Sequence, residues 1–167
     1  MVFPSLNIFI ISGVDRLWDE LSATALHRFL NIELPPLGRK VVERMQSKGM
    51  VVDIAHMGMF SLAGLAKISQ APVIDSHTHT AEKADLRSRV RSYKDVEHIV
   101  KTGGVVCTWP YAYGSRRKIS DWAEEIVQFK KRFGIEHIGL GTDGAVVYPK
   151  WSGAIEIFVT LSNLQQR

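Results

Sequence analysis

Gly49-Met50-Val51-Val52-Asp53-Ile54-Ala55-His56 reads as a helix stop, a short apolar strand and a histidine at the strand's exit. Glycine ends helices because it enters the left-handed region without a Cβ clash. Val and Ile then favour the pleated backbone of a half-buried strand. Upstream, Leu37, Val41, Val42 and Met45 recur at helical spacing, with Arg39, Lys40, Glu43 and Arg44 on the other face. Pro36 suits the first turn of that helix, where a missing N–H costs nothing.

The same unit recurs downstream. A helix over 60–69 is broken by Pro72, and Val73-Ile74-Asp75-Ser76 reads as a strand ending at His77. A third helix over 92–102, with Val96, Ile99 and Val100 apolar, stops at Gly103-Gly104 before the strand Val105-Val106-Cys107-Thr108-Trp109. In the fourth unit Ser120 is the expected N-cap, and Trp122, Ile126, Phe129 and Phe133 make the buried stripe. Gly134 closes that helix, and Ile138-Gly139-Leu140-Gly141-Thr142 leads to Asp143. Residues 7–11 read as a further buried strand and 24–26 as a sixth candidate.

Strands alternating with helices at intervals of 22, 32 and 33 residues, counted from Val51, Val73, Val105 and Ile138, imply parallel pairing through crossover helices. Such a chain forms an open doubly wound sheet or a closed barrel. The barrel places its chemistry at the C-terminal ends of several different strands. His56, His77 and Asp143 all occupy that position, which favours a partial (β/α)8 TIM-type barrel with five or six of its eight units present. A complete barrel takes about 250 residues, so this chain of 167 is two or three units short. No low-complexity linker divides it, and 1–167 is expected to form one domain.

Composition narrows the function class. The single cysteine, Cys107, rules out an internal disulfide and a thiol-rich metal site. The net charge of +4 is spread along the chain, apart from Arg87, Arg89, Arg91 and the run Arg116-Arg117-Lys118, and no nucleic-acid reading module accompanies it. The apolar stretch within 1–12 lacks a basic lead and is shorter than the ~20 residues of a membrane span. The expectation is a soluble cytoplasmic protein with no nucleic-acid partner and no membrane span.

His56 and His77 follow successive strands, so both imidazoles are expected at one mouth, where neutral imidazole suits zinc. The plainer alternative is hydrogen bonding near a strand terminus. His79, two residues beyond His77, shares its side if the strand continues. Only 88 residues follow it, too few for a barrel that begins at this His-x-His, so His79 is expected in a loop beyond the strand. Near a metal, Asp143 could take a proton from water and return it to a leaving amine. Alternatively, Asp143-Gly144 is a turn.

Residues 37–45 and 49–56, followed by Ala71-Pro72-Val73-Ile74-Asp75-Ser76-His77, Lys101-Thr102-Gly103-Gly104-Val105 and His137-Ile138-Gly139-Leu140-Gly141-Thr142-Asp143, closely resemble the membrane (renal-type) dipeptidases, peptidase family M19. The match covers roughly 34–150. The resemblance implies a (β/α)8 barrel with a two-zinc site that hydrolyses dipeptides by metal-bound hydroxide. It implies that His56 and His77 are the two histidine ligands of one zinc and that Asp143 is the acid/base aspartate. Arg89 looks like the arginine that receives the substrate carboxylate, with a solvated basic loop as the alternative. His27, in Thr24-Ala25-Leu26-His27 followed by Asn31, resembles the histidine that polarises the substrate carbonyl.

The departures are as specific. The family's first-strand His-x-Asp is absent from this sequence. Ile11-Ser12-Gly13 stands where the family's bridging glutamate is expected, and a hydroxyl is a poor electrostatic substitute for a carboxylate between two cations. At most one zinc is well supported. Two functions follow: a truncated or divergent metallodipeptidase acting on dipeptides, or a non-catalytic metal- or ligand-binding remnant of that barrel. Completion of the barrel by a homo-oligomer is a further expectation, since unpaired sheet edges invite pairing.

Overall fold

The computed structural model describes residues 8–10, 33–84, 90–110 and 118–141. Strand β1 (Ile8–Ile10) precedes helix α1 (Pro36–Ser47), β2 (Val51–Asp53), α2 (Met59–Ile68), β3 (Val73–Ala81) and β4 (Val90–Ser92). Then come α3 (Tyr93–Val100), β5 (Val105–Thr108), α4 (Ile119–Phe133), a 3-10 turn (Ile135–His137) and β6 (Ile138–Leu140).

All strand pairings are parallel, and the sheet runs β1-β2-β3-β5-β6, with β4 added beside the end of β3. A doubly wound sheet reverses its strand order at a switch point, where ligands bind. Here each main strand joins the one before it, as in a barrel wall. The partial-barrel expectation is met.

Local chemistry explains the elements. Pro36 opens α1, and Gly49 at φ 71° turns the chain from it into β2. The Ser92 hydroxyl accepts the Asp95 N–H at 3.2 Å while Asp95 Oδ2 accepts the Ser92 N–H at 3.0 Å, a reciprocal cap on α3. Such a cap contributes about 1 kcal/mol. The Thr102 hydroxyl donates to the Ile99 carbonyl at 2.7 Å and accepts the Val73 N–H at 3.3 Å. Gly104 follows because a Cβ there would collide with the Val73 carbonyl.

One core joins the layers. Val42 and Met45 of α1, Leu62 and Leu65 of α2, Val96 and Ile99 of α3, and Phe129 of α4 pack with Val52, Val73 and Val106 of the strands. Burial of each such side chain is worth roughly 1.5–3 kcal/mol.

Three details differ from the sequence reading. Leu37 lies 49% exposed at the start of α1, outside the buried stripe. Helix α4 begins at Ile119, so Lys118, not Ser120, is its N-cap, and Asp121 Oδ2 accepts the Lys118 N–H at 3.0 Å. An acidic side chain in the first turn satisfies a donor that Ser120, inside the helix, cannot reach as cap. Strand β3 does not end at His77 but continues to Ala81, because β4 pairs with its second half, so His77 lies within the strand. His79 is thus a strand residue, not a loop residue. Residues 24–26 lie outside the described residues.

Candidate metal centre

His56 comes after β2, in the turn Ile54-Ala55-His56-Met57, closed by the Met57 N–H on the Ile54 carbonyl at 3.0 Å. Asp53, the last strand residue, prepares this turn: its Oδ1 accepts the Ala55 N–H at 2.9 Å and the Ser76 N–H of β3 at 3.2 Å. Among the described residues His56 is the one non-glycine residue with positive φ, 65°. That conformation costs a side chain on the order of 1–2 kcal/mol and persists where surrounding structure enforces it.

The turn aims His56 at β3. Its Nε2 lies 2.9 Å from His77 Nε2, with ring centroids 4.9 Å apart. The Ser76 hydroxyl lies 2.9 Å from His77 Nδ1. Trp109, just past β5, stands against both His77 and His79, at centroid distances of 5.2 and 6.1 Å.

Behind this pair is a buried carboxylate. Glu125 of α4 places Oε2 2.9 Å from His79 Nδ1, while its Oε1 accepts the Thr80 N–H at 2.6 Å and the Thr80 hydroxyl at 3.1 Å. Glu125 escaped the sequence reading, though a signal existed: it falls on the stripe of Trp122, Ile126 and Phe129, three residues after the first and four before the last.

A buried ion pair links Arg91 of β4 to Asp75 of β3. Arg91 Nε donates to Asp75 Oδ2 at 2.6 Å, and its two terminal nitrogens donate to the Met57 and Ile54 carbonyls at 2.5 and 2.7 Å. Complete burial pushes the Asp75 carboxyl above its ordinary range, against the downward pull of Arg91, and the nearby Asp53 charge adds to the rise. Asp75 Oδ1 has no hydrogen-bond partner among the described residues. Burial also drives the Cys107 thiol up to about 11, with Asp75 and Asp53 contributing.

Of the residues singled out in the sequence, the structure brings His56 and His77 together; Asp143, His27 and Arg89 lie outside the described residues. The donor set of the pair fits zinc. Two nitrogens bound at about 2.0–2.1 Å in tetrahedral geometry stand roughly 3.3 Å apart, so a pair at 2.9 Å needs to open only slightly. A hydrogen bond to the other ring nitrogen, as Ser76 provides at His77, is how ligand imidazoles are commonly oriented. No cluster of three or more His, Cys, Asp or Glu able to hold a metal occurs among the described residues. Among the described residues, then, a metal at this place could draw on the two imidazoles and on no larger donor cluster.

Parallel strands joined in chain order, with His56 just past β2 meeting His77 within β3, define a (β/α)8-type barrel wall. The chain belongs to the membrane dipeptidase family, peptidase family M19, whose model matches residues 21–161. An uncharacterised dipeptidase of Schizosaccharomyces pombe is 31% identical over 117 residues, covering 66% of this chain and 28% of its own length. Dipeptidase 3 of Mus musculus is 28% identical over 142 residues, covering 80% of this chain and 28% of its own. This chain thus spans less than a third of those relatives.

Solved structures share the fold. An amidohydrolase from Pseudomonas aeruginosa matches with a TM-score of 0.65 at 22% identity, over 81% of this chain and 42% of that one. A metallo peptidase from Rhodobacter sphaeroides, liganded with a phosphinate mimic of the dipeptide L-Ala-D-Ala, matches with a TM-score of 0.61 at 19% identity, over 78% and 41%. No helix among the described residues is long and apolar enough to cross a membrane.

Proposed function

We propose that this chain carries part of a zinc-dependent dipeptidase centre, with His56 and His77 as its metal-binding half. The 2.9 Å approach of the two Nε2 atoms carries the reading, because it joins the turn that follows β2 to a residue within the neighbouring strand β3. A zinc ion held there would act as a Lewis acid on a peptide carbonyl and on water. Membership of the dipeptidase family and the dipeptide mimic bound by the Rhodobacter sphaeroides structure support dipeptides as the substrate class.

The remaining roles fall to other residues of this chain. Asp143, three residues beyond the end of β6, would hold the proton taken from water and deliver it to the leaving amine. Arg89 directly precedes β4 and would receive the substrate's terminal carboxylate in its planar fork. His27 would donate a hydrogen bond to the carbonyl oxygen as negative charge grows on it.

A second reading has its own support: Ser12 stands where the bridging glutamate is expected, and two ligands alone make a weak site. This is the non-catalytic remnant, which binds metal or ligand without turnover. Zinc stoichiometry measured together with dipeptide cleavage separates the two. Two zinc ions per chain with saturable cleavage support the dipeptidase. One weakly held zinc, lost in His56→Ala, with no cleavage, supports the remnant. Zinc affinity unchanged in both His56→Ala and His77→Ala rejects the centre altogether.

A further inference from the structure

We propose that Arg91 is a positioning residue that sets the distance between His56 and His77, an inference that rests on the reading of those histidines as a metal-binding pair. Arg91 is 2% exposed, and its three hydrogen bonds go to two different pieces of chain. Two go to the carbonyls of Ile54 and Met57, the first and last residues of the turn that contains His56. The third goes to Asp75, two residues before His77 on β3. A single rigid guanidinium thus joins the flanks of both histidines.

The geometry has a specific consequence. The turn holds His56 at φ 65°, a conformation its own backbone disfavours. Relaxation of that turn would swing the His56 ring away from β3. Arg91 resists this by bonding both ends of the turn at once, while the Asp75 contact fixes the guanidinium to the strand that carries His77. A lysine keeps the charge but lacks the planar fork, and one ammonium cannot satisfy the three acceptors in their present positions. The Arg91 hydrogen bonds go to Asp75 and to two backbone carbonyls and not to the imidazoles, so its action runs through backbone placement.

The test uses the full chain and the variants Arg91→Lys and Phe129→Leu, the latter a core lesion in α4 that removes none of the three Arg91 hydrogen bonds. Two readouts are needed besides melting temperature: zinc affinity, and the nitrogen–nitrogen scalar coupling across the His56–His77 hydrogen bond in metal-free, 15N-labelled protein. The expectation for folded Arg91→Lys is loss of that coupling and a fall in zinc affinity of about 10–100-fold, the usual effect of removing an outer-shell partner. Phe129→Leu should retain both despite a lower melting temperature. Coupling and affinity unchanged in folded Arg91→Lys would overturn the proposal.

Should Arg91→Lys fail to fold, guanidinium NMR of the unmutated protein decides. Separate, slowly exchanging Nη signals coupled to the Ile54 and Met57 carbonyls support the clamp, and free rotation about the Cζ–Nε bond rejects it. If wild-type zinc binding proves independent of His56, the metal reading falls, while the metal-free coupling still decides the role of Arg91.

Discussion

Glu125 of α4 closes to 2.9 Å on Nδ1 of His79 in β3, joining residues 46 positions apart in the chain through a contact shut away from solvent. The same carboxylate accepts two hydrogen bonds from Thr80. One side chain therefore secures the late part of β3 to the helix that follows β5. Glu125→Ala would strand three donors or charges at once. A loss of at least about 1–3 kcal/mol is expected, the cost of removing the acceptor from a buried donor. Glu125→Gln keeps an acceptor for Thr80 and should lose less. Urea midpoints at constant m-value check both.

The strain at His56 is separable from its chemistry. His56→Gly and His56→Ala remove the same imidazole, but only glycine takes positive φ without a Cβ clash. The glycine variant should be the more stable by ~1 kcal/mol. Equal stability of the two would show that the turn relaxes once the ring is gone. Zinc titration of both should show the same loss.

Close backbone approach predicts two intolerant positions. A Cβ at Gly104 would meet the Val73 carbonyl, and one at Gly141 would meet the Ser76 carbonyl. Backbone cannot swing aside as a side chain can, so each Gly→Ala change should cost at least the ~1–3 kcal/mol of ordinary overpacking. Gly49→Ala meets no atom within 4 Å and bears only the cost of its φ of 71°. Thermal melts of the three variants should rank Gly49→Ala as the mildest.

His98 links stability to pH. Its pKa is lowered, chiefly by burial and then by Lys101, with Asp95 opposing. A histidine depressed in the folded state takes up its proton more readily when unfolded. Stability is therefore fully present above the ordinary value of 6.5 and falls as pH drops through 6.5 toward the lower folded pKa. His98→Gln should flatten the change in unfolding free energy between pH 7.5 and pH 5. An unaltered slope, measured by urea titration at several pH values, would count against this assignment.

Cys107 should behave as an inert thiol. With its pKa near 11 in place of 9.0, its thiolate fraction at pH 8 is reduced roughly a hundredfold. Iodoacetamide should label it slowly in the native protein and quickly in urea, as followed by mass spectrometry. Rapid native labelling at pH 8 would refute both the burial and the shift.

Much of the framework was readable from short stretches. Gly49, with φ 71°, and Gly103, with φ 75°, mark helix exits as their positions suggested. Val42, Met45, Val96, Ile99 and Phe129 lie in the core where helical periodicity put them. The site was legible in part: the placement of His56 just past β2 and of His77 on the next strand anticipated their meeting, although β3 runs on beyond His77, while nothing around Arg91 announced a buried clamp. Its neighbours Val90 and Ser92 give a three-residue strand too short to show a period.

Sequence alone determined the alternation of helix and strand, the parallel class and the place of His56 just past its strand, because turns, stops and amphipathic faces are encoded within a few residues. Only the tertiary structure decided that β3 runs on past His79, that Glu125 and Arg91 become buried partners, and that His56 adopts positive φ. Those outcomes depend on groups 11 to 46 residues apart meeting across strands or at hydrogen-bond distance. Strand register and packing set such encounters, and no local pattern carries them.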